Sequence, residues 1–215
     1  MTSVYGVIQV LLKLYSEEFS EEVKKYIEIG KRGSLRMKEL INNLLDASRL
    51  NAKRIELDRK KENLTEIISG CVSDMNYLIT RRNLKIKINI SNNVYFEVDK
   101  LRFGQVLTNL ISNAIKNTPE KGNISISLSE NSEFIDISIK DTGVGITKKE
   151  KERLFEKFGK IERYGQNLNV DIAGVGIGLF ISKEIVELHD GEIIVESEGR
   201  NKGSTFIIRL YKENI

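Results

Sequence analysis

The sequence predicts an α+β protein, an antiparallel helical hairpin followed by a two-layer sandwich of mixed sheet with helices on one face. Two observations predict it. Residues 3 to 50 carry helical apolar spacing with a single polar break. From about residue 54 the period changes to short alternating strands interleaved with helices.

Each element has its own signature. Val4, Val7, Ile8, Leu11, Leu12 and Tyr15 form one apolar helical face. The break Ser16-Glu-Glu-Phe-Ser20 offers Ser20 as an N-cap for the next helix. There Val23, Ile27, Gly30, Ser34, Met37, Ile41, Leu44 and Ser48 alternate in steps of four and three, a heptad seam weakened at its middle. A lone hairpin of this size buries too little, so a homodimer forming a four-helix bundle is expected. Arg54 to Asp58 reads as a strand. Leu64 to Thr80 reads as a helix with Asn63 or Thr65 near its cap. Ile86, Ile88 and Ile90 alternate with polar residues as a half-buried strand, and Val94 to Val98 is another. Leu101 to Asn117 reads as a helix stopped by Pro119, the only proline. Gly122 to Leu128 and Phe134 to Lys140 form a hairpin. Residues 159 to 173 have no clear period, Gly176 to Leu188 is helical, and Glu192 to Glu196 and Ser204 to Leu210 are closing strands. The expected division is 1–53 for the hairpin and 54–215 for the sandwich.

Composition narrows the class. The 215 residues are 40% apolar and 30% charged, with formal net charge +3, which suits a soluble globular chain. The charges are interleaved, so there is no basic stripe for nucleic acid and no polybasic membrane tail. No apolar run approaches the roughly 20 residues that cross a bilayer, and no signal peptide is visible. Direct membrane contact by this segment is therefore not expected. Cys71 is alone and reads as a small buried thiol. These features together fit a reducing cytoplasm.

Three short stretches carry chemistry. Asn109 and Asn113 are four apart on one helix, so both amides lie on one face. A carboxamide oxygen is a hard neutral ligand suited to Mg²⁺, and Lys116 adds a point charge for a phosphate. The plain alternative is a solvated helix face. Asp141 ends a strand before Gly143 and Gly145; its carboxylate can accept from an exocyclic amine, and glycine lets backbone approach a flat ring. The alternative is an ordinary Asp-x-Gly turn. Gly174, Gly176 and Gly178 open a helix whose free N–H groups attract phosphate, or else are only a flexible loop. Thr205 can reach the base region with its hydroxyl, or serve merely as a strand residue. Phe155 reads as core and Phe158 as an anchor for the loop beyond. The one histidine, His189, precedes Asp190-Gly191 at a helix end and reads as a cap or turn residue.

At these residues the chain resembles sensor histidine kinases of two-component systems, and more broadly the ATPase superfamily shared with gyrase-type topoisomerases, Hsp90 chaperones and MutL repair proteins. Asn109 to Lys116 is similar to the family's N box, Asp141 to Gly145 to its G1 box, Phe155 to Phe158 to its F box and Gly174 to Gly178 to its G2 box. Gly203 to Thr205 resembles a short third glycine motif. The resemblance implies a sandwich of the gyrase/Hsp90/histidine kinase/MutL type that binds ATP with Mg²⁺. It implies Asn113 as metal ligand, Asn109 as a polar contact near the phosphates, Lys116 as a phosphate contact and Asp141 as adenine acceptor. Asn109 and Lys116 are thereby the catalytic candidates. Gly143, Gly145, Ile146, Gly174, Val175, Gly176, Gly178, Leu179 and Thr205 complete the implied nucleotide contacts. Residues 146 to 175 would be the lid, and Lys160 falls near a basic position that touches the terminal phosphate in relatives.

The segment Arg36 to Leu50 is similar to the second helix of the kinases' dimerisation and phosphotransfer domain. This implies a homodimer and a response-regulator receiver domain as partners. The family's phosphoacceptor histidine sits in the first helix, ahead of a threonine and proline; here Thr2 and Ser3 take those places, so the histidine would precede Met1. Two expectations follow. One is the catalytic region of a kinase, supplied with its histidine from outside these residues. The other is a degenerate kinase acting as a nucleotide-binding scaffold or response-regulator phosphatase. A third, an ATP-hydrolysing conformational machine, would need a general base where Asn109 stands, and asparagine cannot deprotonate water.

Overall fold

The computed structural model describes residues 2–15, 19–51, 56–90, 92–157 and 176–212. The chain divides into two compact units, Met1–Lys53 and Arg54–Ile215.

The first unit is the helical pair α1 (Thr2–Leu14) and α2 (Glu21–Asn51). The Ser20 hydroxyl accepts from the Val23 N–H at 3.3 Å, and Glu21 and Glu22 occupy the first turn, where the helix dipole favours negative charge. Gly30 of α2 faces Ile8 of α1: a Cβ there would stand in ordinary contact with Ile8 Cδ1 at 3.8 Å. Four residues of the expected seam, Val23, Met37, Ile41 and Leu44, stay 40% or more exposed in the single chain.

The second unit comprises β1 (Lys60–Asn63), α3 (Leu64–Asp74), α4 (Asn76–Arg81), β2 (Lys85–Asn89), β3 (Tyr95–Val98), α5 (Lys100–Asn117), β4 (Asn123–Glu130), β5 (Phe134–Asp141), α6 (Lys148–Arg153), α7 (Gly178–Leu188), β6 (Gly191–Glu196) and β7 (Ser204–Tyr211). The main sheet has the order β2-β4-β5-β7-β6. Only β2–β4 is parallel; β4–β5, β5–β7 and β6–β7 are antiparallel. β1 and β3 form a separate antiparallel pair. This is the predicted mixed-sheet sandwich. Its core follows the two periods. Ile135, Ile137 and Ile139 of β5 and Phe206, Ile208 and Leu210 of β7 point inward at every second position. Phe103, Leu107, Leu110 and Ile111 of α5 and Ile181 and Ile185 of α7 are buried alongside them, with α5 packed on β5 and α7 on α5 and β6.

Three local readings change. Of the strand expected over 54–58, residues 54 and 55 lie outside the described residues and 56–58 are not in a strand; the first described strand begins at Lys60. Tertiary side-chain bonds take up this stretch instead of a ladder. The Asp58 N–H donates to Asp99 Oδ2 at 3.1 Å, and Arg59 bonds Asp190 and the Leu188 carbonyl. The helix expected over 64–80 splits at Met75, whose N–H turns back to the Val72 carbonyl at 3.1 Å. A short helix, α6, lies inside the stretch expected to be the lid, before the patternless residues 159 to 173. Its capping box, with Thr147 and Glu150 bonded reciprocally, was legible as Thr-x-x-Glu.

His189 closes α7 from within the core. Its Nε2 accepts from the Asp99 N–H at 3.0 Å, so Nδ1 carries the proton and donates to the Ile185 carbonyl at 2.7 Å. The Phe103 ring meets it edge-on at 5.8 Å. Burial pushes the imidazole pKa down, and the Arg59 charge adds to this. The Ile185 bond and the charges of Asp99 and Asp190 oppose it. The folded protein thus keeps His189 neutral while the unfolded chain takes up a proton below about pH 6.5, so its contribution is full above that pH and lost as pH falls toward the lowered folded value. Thermal melts at pH 7.5 and 5.5 are expected to show lower stability at the acid end. His189→Gln is expected to flatten that difference, since no other histidine exists to supply it.

Candidate functional site

The site grows from the end of β5. Asp141 is paired in register with Ser204, the first residue of β7. Both are buried. The Ser204 hydroxyl donates to Asp141 Oδ2 at 2.6 Å, and the Gly143 N–H donates to Oδ1 at 2.7 Å. A carboxylate has about four lone-pair directions, so one such group can serve several donors at once.

The loop after Asp141 is held on both sides. The Val144 N–H donates to the Asn117 carbonyl at 3.1 Å, at the end of α5. Arg82 secures the neighbouring carbonyls of Lys116 and Thr118. From the other side come Asn201 N–H to the Val144 carbonyl at 2.9 Å and Gly203 N–H to the Gly143 carbonyl at 3.0 Å. The Ile146 N–H reaches Ser197 Oγ at 2.9 Å. Gly145 has φ +65°, and a Cβ there would overlap the Gly199 carbonyl oxygen, so only glycine fits this crossing.

Between these parts lies a cavity of about 390 Å³ counted with its open mouth. Asn113 and Asn117 of α5 form one side and Val144, Gly145 and Ile146 the other. Leu154, Leu179, Ser204 and Phe206 close the rest. Apolar walls with a few convergent polar groups suit a flat heteroaromatic ring. Ser204, which lines the cavity, donates to the buried Asp141 carboxylate, so an acidic pair backs this wall. α7 begins beside the cavity at Leu179. Its N-cap, Ile177, makes no side-chain cap bond, and N–H groups at a helix start attract anions.

The predicted residues separate here. Asn113, Gly145, Ile146 and Leu179 line the cavity, with Asp141 and Gly143 directly behind it. Asn109 shares the helix face but not the cavity. Its Nδ2 donates to Ser182 Oγ at 2.8 Å, and its Oδ1 faces Gly178, where a Cβ would stand 2.5 Å away. Its amide therefore joins α5 to α7. Lys116 is half-buried and outside the lining. Thr205 pairs with Lys140, so it points to the sheet face opposite Asp141. The hydroxyl that reaches the acid belongs to Ser204, one position earlier. Gly176, with φ +75°, and Gly178 lead into α7. Lys160, Gly174, Val175 and Phe158 lie outside the described residues, as does the expected lid beyond residue 157 up to 175. Phe155 is half-buried with Lys183 6.0 Å from its ring centroid, and Lys157 stands 4.7 Å from that of Phe180. Sequence reading passed over Asn117, Leu154, Ser204 and Phe206. Ser204 was recoverable from strand alternation once Asp141 is taken to face inward; the others depend on helix-to-loop packing.

A metal can be accommodated in one manner. No group of three or more His, Cys, Asp or Glu side chains is gathered among the described residues. A cation here would rest on the Asn113 carboxamide and on oxygens of the bound ligand, the way Mg²⁺ is held beside phosphates. Cys71 takes no part: burial pushes its thiol pKa up, and its Sγ lies 3.7 Å from the Gly104 carbonyl. No described helix is long and apolar enough to cross a membrane.

Comparison with known proteins agrees with this geometry. Residues 98–214 match the family model described as "Histidine kinase-, DNA gyrase B-, and HSP90-like ATPase", and residues 1–53 match "His Kinase A (phospho-acceptor) domain". Sensor histidine kinase WalK of Bacillus subtilis (strain 168) is 32% identical over 193 residues, covering 88% of this chain and 31% of that protein. Sensor histidine kinase RcsC of Escherichia coli (strain K12) is 29% identical over 211 residues, covering 97% of this chain and 22% of that protein. The chain thus spans under a third of the length of these relatives. Among solved structures, histidine kinase ThkA in complex with response regulator protein TrrA superposes with a TM-score of 0.67 at 27% identity, over 98% of this chain and 57% of that one. With both family models matched in order along its length, this chain belongs to the histidine kinase-, DNA gyrase B- and HSP90-like ATPase family, with a His Kinase A (phospho-acceptor) region ahead of its ATPase region.

Proposed function

We infer that this chain is the ATP-binding catalytic region of its kinase, passing the ATP γ-phosphoryl to a histidine that is not among these residues and thence to a response-regulator aspartate. The observation that carries this is the single cavity bounded by the Asn113 amide and the hydroxyl of the Asp141–Ser204 pair, with the uncapped start of α7 beside it. In this reading Asp141 accepts from the adenine amine, directly or through water, and Ser204 holds the carboxylate in place. Val144, Gly145, Ile146 and Phe206 enclose the ring. Asn113 holds Mg²⁺, which supplies charge neutralisation at the phosphates. The first-turn amides of α7 hold phosphate oxygens, Lys116 adds positive charge, and Asn109 fixes α7 through Ser182. Phosphoryl transfer asks mainly for positioning and charge stabilisation, and these groups provide both.

The hairpin's exposed seam supports a homodimer, and the relative solved with a response regulator supports a receiver domain as partner. The only histidine in these residues, His189, is buried with both ring nitrogens engaged, so it is not the acceptor. The test is to incubate the chain with labelled Mg-ATP and a separate helical hairpin bearing the family's histidine. Acid-labile, base-stable label on that hairpin is the expected result. Nucleotide binding without transfer to any such hairpin would favour the scaffold reading instead.

A further inference from the structure

The loop that walls the cavity ends on an ion pair that no motif predicts. Arg200 sits in the turn between β6 and β7. Its Nη1 donates to the Gly145 carbonyl at 3.3 Å, and its Nη2 bonds Glu150 Oε1. Glu150 is committed on its other oxygen: Oε2 accepts from the Thr147 N–H at 2.9 Å and the Thr147 hydroxyl at 2.8 Å. Both side chains are largely shielded, 28% and 17% exposed. One guanidinium therefore spans the loop residue Gly145, which lines the cavity, and the capping box that starts α6.

The geometry points to Arg200 as a positioning residue for nucleotide binding: it clamps the Gly145 carbonyl and Glu150 so that the wall formed by Val144, Gly145 and Ile146 is set before the base arrives. This rests on the nucleotide site proposed above. Two features make the clamp more than a surface pair. A planar guanidinium offers donors in two fixed directions, so it can hold a carbonyl and a carboxylate together, whereas an ammonium is a single point. The wall it holds also carries little other fixation from side chains. Its remaining bonds are the Val144 N–H to the Asn117 carbonyl of α5, backbone groups of the Arg200 turn, and Ser197, whose hydroxyl in turn donates to the Gly203 carbonyl at 2.7 Å. The Arg200 turn and the base wall are thus bonded to each other at several points. Burial alone would raise the Glu150 carboxyl pKa, but the Thr147 donors and the Arg200 charge outweigh it and hold it below its ordinary value, so the pair is ionised at neutral pH.

Preorganisation of a binding wall shows in affinity, with little effect on turnover once nucleotide is bound. In the full chain, Arg200→Ala is expected to raise the Kd for Mg-ATP about fivefold to twentyfold by calorimetry, the scale of losing charge-assisted bonds. kcat for transfer to the supplied hairpin should stay within about twofold, with the loss in KM. Backbone amide exchange at Val144 and Ile146 should quicken in the nucleotide-free protein. Arg200→Lys, which keeps the charge but not the fork, should fall between the two, and it carries the same measurements should Arg200→Ala not fold. A folded Arg200→Ala that binds Mg-ATP as wild type does, whether or not its melting temperature drops, overturns the proposal while leaving the nucleotide site intact. Wild-type protein that binds no nucleotide overturns the site itself and this clamp with it.

Discussion

Asp141→Asn is expected to weaken Mg-ATP binding about tenfold to hundredfold, the span of a lost hydrogen bond to a charged acceptor in a buried setting. The substitution keeps the shape of a side chain that is only 3% exposed. It replaces one acceptor oxygen by a donor. The Gly143 N–H and the Ser204 hydroxyl claim the acceptor positions, so the new amide can satisfy only one of them without turning a donor toward the other. Either orientation removes the negative charge and turns a donor toward one of these two partners. Asp141→Ala is a cruder version and also leaves two buried donors unpaired, at about 1–3 kcal/mol each. The asparagine variant separates recognition from folding: its melting temperature should move far less than its affinity. Calorimetry showing wild-type affinity in Asp141→Asn would remove Asp141 from base recognition.

Asn113→Ala is expected to abolish the magnesium dependence of nucleotide binding. In the wild type, affinity for ATP should be higher with Mg²⁺ than in a chelator. In the variant the two titrations should converge, because the described site has no cluster of acids to hold the cation instead. The loss should at least match the roughly tenfold to hundredfold typical of disturbed metal sites. Asn109→Ala is the informative neighbour. Its amide bonds Ser182 rather than lining the cavity, so its removal should cost about 1–2 kcal/mol of stability while the magnesium dependence survives. The reverse outcome, with Asn109 governing the metal and Asn113 only stability, would exchange the two roles.

These two amides also show how far sequence carries. Spacing of four residues puts Asn109 and Asn113 on one side of a helix, and that much follows from 3.6 residues per turn. It does not reveal that α7 crosses over the upper amide at Gly178 and occupies it. Thr205 and Ser204 give the same lesson in a strand. Alternation says that one of them faces Asp141, but the register between β5 and β7 decides which, and a shift of one residue reverses the answer. At the end of the stretch expected as a strand, the Asp58 N–H is taken by Asp99, and the next residue, Arg59, bonds Asp190 and Leu188, partners far away in sequence. The short helix α6 was readable from its capping box, although it falls within the stretch expected to be the lid. Arg200 had no signal at all, since a lone arginine in a turn acquires meaning only from what lies across from it.

Periodicity, caps and the order of glycine, amide and acid clusters are written locally, in residues a few positions apart, and so the helical hairpin, the mixed-sheet sandwich and the family motifs were decided by the chain's own letters. Which amide opens onto the cavity, which hydroxyl supports the acid and which arginine braces its wall depend on strand register and on helices crossing at one or two glycines. Those are contacts between residues tens of positions apart, and only packing in three dimensions sets them.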